Sequence, residues 1–537
     1  MRVLVSDPIA EEGIEVLRRE FEVDVRTGIS KEELVRIIPE YDALVVRSET
    51  KVTPEVIEAG SALKVIGRAG VGVDNIAVDA ATRRGIIVVN SPEGNTIAAA
   101  EHTMALLLAM SRNIPQAVAS LRAGEWKRSK FVGVEVYGKV LGIIGLGKIG
   151  REVARRARGF AMEVIANDPF ITAEQAERLG VSLVELDELL RRSDYVSIHV
   201  PITKDTRRLL SAERLAVMKP GARIVNCARG GIIDEEALLD AVREGRIAGA
   251  ALDVFEKEPP DPDDPILKCE QIVVTPHLGA STREAQIGVA VDVAEQIVDV
   301  LNGRPARSAV NMPYVSREVL AVIEPFLPLA ERMGRFLAQL VDGRVGMVDA
   351  VYRGDLADTE VSPLTRAALK GLLEPVLSEA VTYVNAPLIA EGRGIRVTES
   401  KTPISEEYTN LIEMTVQSDV ASHTISGTIF GKRDMRIVEV DGYRVDVEPA
   451  GYALISQHTD RPGIIGRVGT ALGQAGINIA GMHVGRKERG QQAVMILNVD
   501  DYVPPDLVRH IATLEGVHNA RLVEFTAPNQ RNSRGDE

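Results

Sequence analysis

Three short stretches carry residue types that together suit the oxidation of a small hydroxy acid. Asn226-Cys227-Ala228-Arg229-Gly230-Gly231 leaves an apolar run and offers Arg229, a planar fork of donors for a carboxylate. Phe255-Glu256-Lys257-Glu258-Pro259-Pro260 supplies Glu258, and Pro276-His277-Leu278-Gly279-Ala280 places His277 directly after the apolar run 272–275. Removing hydride from C2 of a 2-hydroxy acid needs a base for the hydroxyl proton, and imidazole has the right intrinsic basicity. A buried carboxylate beside it would orient the ring and favour the imidazolium as the proton arrives. An arginine would hold the substrate carboxylate and polarise the C2 oxygen. Taken singly, each has a plainer reading: a surface arginine, a solvated acidic loop, a structural histidine. No H-E-x-x-H or comparable ligand set is present, so no metal is expected.

A hydride needs an acceptor, and the stretch 141–168 is built to bind one. It reads as strand, glycine turn, helix, strand. Gly145, Gly147 and Gly150 stand at G-x-G-x-x-G spacing. The first glycine permits a sharp turn, the second a close approach to a pyrophosphate, and the third close helix–strand packing. The helix that starts at Lys148 would point free N–H groups at the phosphates. The following strand ends at Asp168, a carboxylate suited to a ribose 2′-OH and hostile to a 2′-phosphate, so NAD is expected rather than NADP.

The 537 residues are too many for one core. A hydrophobic share of 45% with 26% charged residues is an ordinary globular mixture, and a net charge of −14 argues against nucleic acid as a partner. The apolar stretch around 103–110 is too short to span a bilayer, the N-terminus does not read as a signal peptide, and two isolated cysteines, Cys227 and Cys269, suit a reducing compartment. The expectation is a cytoplasmic protein without a membrane partner.

Strands are expected at 3–6, 43–46, 65–67 and 86–89, and helices near 10–20, 31–38 and 76–84. A long helix over 96–122 should bridge to the nucleotide part, whose strands continue at 195–199, 224–226, 249–252 and 272–275. A second long helix, 281–301, should run back to the first part. Asn302-Gly303-Arg304-Pro305 opens a linker. Beyond it come a helix at 326–340, antiparallel strands within 415–447 turning at Asp441-Gly442, and a compact βαββαβ unit over 451–525. The predicted domains are 1–98 with 282–308, 99–281, 310–448 and 451–525, followed by a polar tail at 526–537.

The chain resembles the D-isomer-specific 2-hydroxyacid dehydrogenases. The matching stretches are Gly67-Arg68-Ala69-Gly70-Val71-Gly72-Val73-Asp74-Asn75, Gly94-Asn95-Thr96, Glu101-His102-Thr103, the 145–150 turn, and the three stretches around Arg229, Glu258 and His277, all in the family's order. The resemblance implies an α/β fold: a Rossmann-like doubly wound nucleotide domain and a discontinuous flavodoxin-like substrate domain. It implies Arg229, Glu258 and His277 as the catalytic trio. NAD contacts carry over to Gly145, Gly147, Lys148, Ile149, Gly150, Asp168, Val200, Cys227, Ala228, Arg229, Asp253, His277, Leu278, Gly279 and Ala280. Val200 stands where the family often has Thr, so a hydroxyl contact there is lost or passes to the backbone.

Within the family the resemblance is to long-form members that oxidise 3-phospho-D-glycerate to 3-phosphohydroxypyruvate, the entry to L-serine synthesis. It places substrate contacts at Arg47, Arg68, Gly70, Val71 and Asn95. Arg128, beside the single tryptophan Trp126, would reach the phosphate site of a neighbouring subunit in a dimer or tetramer. Glu49 departs from members that carry a basic residue there. The segment 310–448 is similar to an α+β intervening domain that takes an allosteric substrate. The unit 451–525 is similar to a ferredoxin-like ACT domain, in which His458, Asp460 and Asn478 match positions that bind L-serine. Asp460 stands where Asn is common. The alternatives are another D-2-hydroxy acid dehydrogenase, such as a glyoxylate or hydroxypyruvate reductase, and a non-enzymatic NAD-sensing scaffold.

Overall fold

The computed structural model describes residues 1–525 apart from Tyr314, Glu379 and Glu406, so the tail expected at 526–537 lies outside the described residues. Short runs of buried β-branched and aliphatic residues build a first sheet of β1 (Arg2–Val5), β2 (Glu22–Val25), β3 (Ala43–Val46), β4 (Val65–Arg68) and β5 (Ile87–Asn90), all parallel in the order β2-β1-β3-β4-β5. The sequence reading has no strand at β2. Its Glu-Val-Asp-Val alternates because it lies at the sheet edge, where apolar residues face only one side. The helix Arg283–Leu301 packs Val293, Ala294 and Ile297 into the core of this sheet. Gly67 on β4 makes the room: a Cβ there would lie 2.6 Å from both Val293 and Ile297.

The second sheet holds β6 (Val140–Ile144), β7 (Glu163–Asn167), β8 (Ser182–Leu183), β9 (Tyr195–Ile198), β10 (Ala222–Asn226), β11 (Ile247–Leu252) and β12 (Ile272–Val274), parallel throughout. Its order, β12-β11-β10-β9-β6-β7-β8, reverses between β6 and β9. Open parallel sheets bind ligands at the carboxyl ends of the strands beside such a reversal. The glycine turn leaves β6 there, and the Arg229 and His277 stretches leave β10 and β12 on the same edge.

The single helix expected over 96–122 is two, Thr96–Ser111 and Ile114–Arg122. Pro115 is the cause: it has no N–H to give, and its ring crowds the carbonyl four residues back, at Ser111. Asn113 makes the corner in a left-handed conformation, φ 51°. The first piece is buried along most of its length, whereas the second buries none of its residues.

The third sheet comprises β13 (Val345–Gly354), β14 (Arg396–Thr402), β15 (Asn410–Ser418), β16 (Ser422–Phe430), β17 (Asp434–Val440) and β18 (Tyr443–Val447). It is antiparallel except where β14 joins β13. Asp441 and Gly442, both with positive φ, form the β17–β18 turn. The fourth sheet, β19 (Tyr452–Thr459), β20 (Ile479–Arg486), β21 (Gln492–Val499) and β22 (Val517–Glu524), is antiparallel in the order β20-β21-β19-β22. Its Ala453, Ile455, Val494, Ile496, Val523 and the adjoining Phe525 share one core with the helix Phe326–Leu340, and Phe525 stacks on Phe336 at 5.7 Å. No helix among the described residues is long and apolar enough to cross a membrane.

The third sheet also carries a histidine–carboxylate pair. His423 Nδ1 lies 2.9 Å from Asp441 Oδ2, with the Arg521–Asp342 ion pair close enough to act on it. The bond to Asp441 raises His423 above its ordinary value against the opposing effect of burial. A value raised on folding stabilises the fold fully below about pH 6.5, where the unfolded histidine titrates, and the contribution fades as pH rises through the folded value. His423→Ala should therefore cost up to ~1 kcal/mol more at about pH 5.5 than at about pH 9 in urea unfolding. Equal losses at both would show that charge plays no part in the pair.

Candidate active site

His277 and Glu258 arrive from neighbouring strand ends and meet. His277 Nδ1 lies 2.8 Å from Glu258 Oε2, while Glu258 Oε1 accepts the Phe255 N–H at 3.1 Å. Burial opposes ionisation of Glu258. The His277 bond and charge, the Phe255 N–H and the charge of Arg229 outweigh it and hold the carboxyl below its usual value. An ionised Glu258 accepts only, so His277 donates from Nδ1 and, when neutral, keeps a lone pair on Nε2. Asn226 shapes the Arg229 turn: its side chain accepts the Ala228 N–H at 3.0 Å and donates to the Arg229 carbonyl at 2.9 Å. Arg229 then reaches the first lobe, where its Nε lies 3.3 Å from Asp74 Oδ2.

The opposite wall of the cleft is cationic. Arg47 follows β3 and Arg68 ends β4, and Arg68 lies close enough to both Arg47 and Arg229 to feel their charge, with Asp74 and Asp7 opposing it. Burial and then the charge of Arg229 pull Arg68 down to about 10. The loop holding Arg47 is pinned by the buried Asp7, which accepts the Arg47 N–H at 2.5 Å and the Thr50 N–H at 3.0 Å. Asn75 adds bonds to the carbonyls of Arg47 and Thr50, both 2.7 Å, and accepts from Arg68 Nε at 3.1 Å. At Gly70 a Cβ would run into the Arg68 guanidinium, and the Val71 carbonyl is held by Asn90. Asn95 Oδ1 is buried without a partner at the start of the helix Thr96–Ser111. Glu49 is exposed. Arg128 sits on an exposed turn and, among the described residues, bonds to no residue of its own cleft.

The glycine turn fits a dinucleotide. Gly145 has φ 93°, and a Cβ there would lie 2.7 Å from the His199 carbonyl and 2.8 Å from Val200. Gly150 packs on the Gly145 carbonyl. A Cβ at Gly147 would meet no protein atom within 4 Å, so a side chain there would obstruct a ligand rather than the packing. The helix Lys148–Gly159 has no side-chain cap at Gly147, which leaves its first amides available, Ile149 among them. Asp168 accepts the Leu146 N–H at 2.7 Å, tying the second strand's carboxylate to the turn. Lys148 pairs with Glu93 of the first lobe at 2.6 Å. Burial pushes the Cys227 thiol up to about 12, so it stays neutral. Asp253 is fully buried and bonds to the amides of Leu278 and Gly279, just ahead of Ala280.

Residues 104–279 match the model of the D-isomer specific 2-hydroxyacid dehydrogenase NAD binding domain, 322–441 that of the D-3-phosphoglycerate dehydrogenase intervening domain, and 452–516 that of the ACT domain. The D-3-phosphoglycerate dehydrogenase of Methanocaldococcus jannaschii is 50% identical over 526 residues, covering 98% of this chain and 100% of that one. The enzyme of the same name from Bacillus subtilis is 43% identical over 98% of this chain and 99% of its own. The chain belongs to the D-3-phosphoglycerate dehydrogenase family. It is an NAD-dependent oxidoreductase. Among solved structures, a protein of Thermus thermophilus is 37% identical with a TM-score of 0.54, covering 58% of this chain and all of its own. The D-lactate dehydrogenase of Escherichia coli is 27% identical with a TM-score of 0.53 over the same shares.

The family's ACT unit holds the three residues matched to serine in unequal states. His458 is buried, and its Nδ1 has no partner. Asp460 is engaged by Arg486 and the Gly490 N–H, both at 3.2 Å, and Asn478 donates to Asp500 at 2.7 Å. Asp7 and Thr275 carry no role in the sequence pattern, and Asp74, Asn75 and His102 appear there only as members of family motifs. Asp7 had a local signal, an acid directly after an apolar strand. Thr275 and His102 had none, because their partner, Asp253, is distant in sequence.

Proposed function

We propose that this enzyme oxidises 3-phospho-D-glycerate at C2 to 3-phosphohydroxypyruvate, the first step of L-serine synthesis. The observation that carries this reading is the gathering of Arg47, Arg68 and Arg229 at one cleft, more positive charge than a single carboxylate needs. His277 Nε2 takes the hydroxyl proton, and Glu258 fixes the ring and stabilises the imidazolium. Arg229 leaves Asp74 to hold the substrate carboxylate and polarise the C2 oxygen. Arg47 and Arg68 hold the phosphate, with Gly70, Val71 and Asn95 lining the site. Bound NAD would supply the hydride acceptor; the glycine turn and Asp168 would hold it, with residues 277–280 contributing to its site. Arg47→Ala should lower kcat/KM for 3-phosphoglycerate by ~10²-fold and that for unphosphorylated glycerate little, measured as NADH formation. Equal losses would remove Arg47 from phosphate recognition, and a wild-type enzyme that prefers glycerate or lactate would overturn the assignment.

The same reading extends to assembly and control. Ile114, Val118 and Leu121, exposed at helical spacing on Ile114–Arg122, and the exposed Trp126 beyond it suit a second copy of the chain, so the enzyme is a homo-oligomer. A monomer in sedimentation equilibrium would refute this. L-Serine binds at the ACT unit around His458 and slows turnover, and an NADH assay indifferent to millimolar serine would refute that. Two free cysteines fit a cytoplasmic location, which cell fractionation tests.

A further inference from the structure

The catalytic turn is strained and must be held from outside. His277 has φ 55°, a left-handed conformation that a β-carbon disfavours by ~1 kcal/mol or more. Most of the holds on the turn's backbone lead to one residue. The His277 N–H donates to the Asp253 carbonyl at 2.9 Å, the Leu278 N–H to Asp253 Oδ1 at 2.7 Å and the Gly279 N–H to Oδ2 at 2.8 Å. Asp253 is fully buried, so its carboxylate needs every donor it has. Besides the two amides these are Thr275 Oγ1 at 2.6 Å and His102 Nε2 at 3.1 Å.

We propose that His102 is a positioning residue for the catalytic turn: its Nε2–H clamps the Asp253 carboxylate, from which the amides of Leu278 and Gly279 hang, and so sets where His277 stands. The inference rests on the reading of His277 as the base. Among the described residues, His102 and Thr275 are the two side chains that bond the Asp253 carboxylate, and Thr275 lies on the same strand end as the turn. His102 alone brings in a separate element, the helix Thr96–Ser111. A carboxylate accepts only, which requires the tautomer or charge state with hydrogen on Nε2. Burial opposes ionisation of Asp253, and the His102 bond is the largest of the effects that hold it ionised. The placement along the helix gives the clamp its purpose. Asn95 stands at the start of that helix, and His102 lies about two turns further along the same face. One rigid rod thus carries an amide for the substrate at its start and the reference point for the base two turns later. An error of ~1 Å between such groups is enough to cost ~10²-fold in rate.

The test compares His102→Leu with His102→Gln, whose amide nitrogen reaches about as far as the imidazole Nε2. In the protein without cofactor, hydrogen exchange of the peptide over 276–281 should quicken in His102→Leu and stay close to wild type in His102→Gln. With substrates, kcat should fall by ~10–100-fold in His102→Leu while KM moves by less than about threefold, and glutamine should restore most of the loss. Unchanged exchange and turnover in His102→Leu would overturn the proposal. So would equal damage from leucine and glutamine alongside equal falls in melting temperature, the mark of a packing role. If the leucine variant fails to fold, His102→Asn, whose amide falls short, replaces it against glutamine, and equality between the two overturns the proposal. Absence of NADH from 3-phosphoglycerate with the wild type would instead sink the functional reading and leave the exchange result to decide the clamp.

Discussion

Replacing His277 by alanine should lower kcat by ~10²–10⁴, the range a positioned general base supplies. The geometry says why the loss is not smaller. Glu258 holds Nδ1 at 2.8 Å, so the imidazole presents its other nitrogen in one tautomer, and the carboxylate is kept ionised by the bond it makes. Water can enter in place of the lost ring, because the pair is partly open to solvent. It has neither that tautomer nor that counter-charge. Cofactor affinity, which we ascribe to the glycine turn and Asp168, should change far less than kcat. Turnover within tenfold of wild type, with pure variant protein and saturating substrates, would remove His277 from the reaction. Loss of NADH binding in parallel with turnover would show instead that the substitution collapses the 277–280 turn.

What the sequence disclosed and what it hid divide along physical lines. The nucleotide sheet was legible because its central strands are buried and its one special loop needs glycine for steric reasons that no other residue satisfies. Gly145 has φ 93° against the His199 carbonyl, and Gly150 lies on the Gly145 carbonyl. Strand β2 escaped because an edge strand can alternate charge, as Glu22 and Asp24 do. The break at Asn113 could have been read from Pro115, since its ring and missing N–H forbid continuation through Ser111. The pairing of Arg229 with Asp74 and of His102 with Asp253 could not. Each joins residues more than a hundred positions apart, and no local spacing encodes such a meeting. The shared core of the last two units was hidden for the same reason: Phe525 stacks on Phe336, which lies far from it in sequence.

Removing Arg229 should be the other large loss. Arg229→Ala is expected to lower kcat/KM for the hydroxy acid by ~10²–10³ or more, the scale of one donor aimed at developing charge on oxygen. The side chain has a resting partner, Asp74 at 3.3 Å, and a backbone tether from Nη1 to the Ala228 carbonyl at 2.7 Å. Two consequences follow from that arrangement. First, Arg229→Lys should recover only a minor part of the activity. An ammonium keeps the charge but not the planar fork, so it cannot reproduce the paired donors that meet a carboxylate side by side. Second, Asp74→Asn should not mimic the loss. On the proposed mechanism the guanidinium gives up Asp74 to serve the substrate, so weakening that pair should leave kcat near wild type and lower KM. Steady-state kcat and KM for the three variants, with 3-phosphoglycerate and with a plain 2-hydroxy acid, decide the matter. A lysine variant as active as wild type would mean that Arg229 supplies charge alone. An Asp74→Asn variant as impaired as Arg229→Ala would mean that the ion pair across the lobes, rather than contact with substrate, is what the arginine is for.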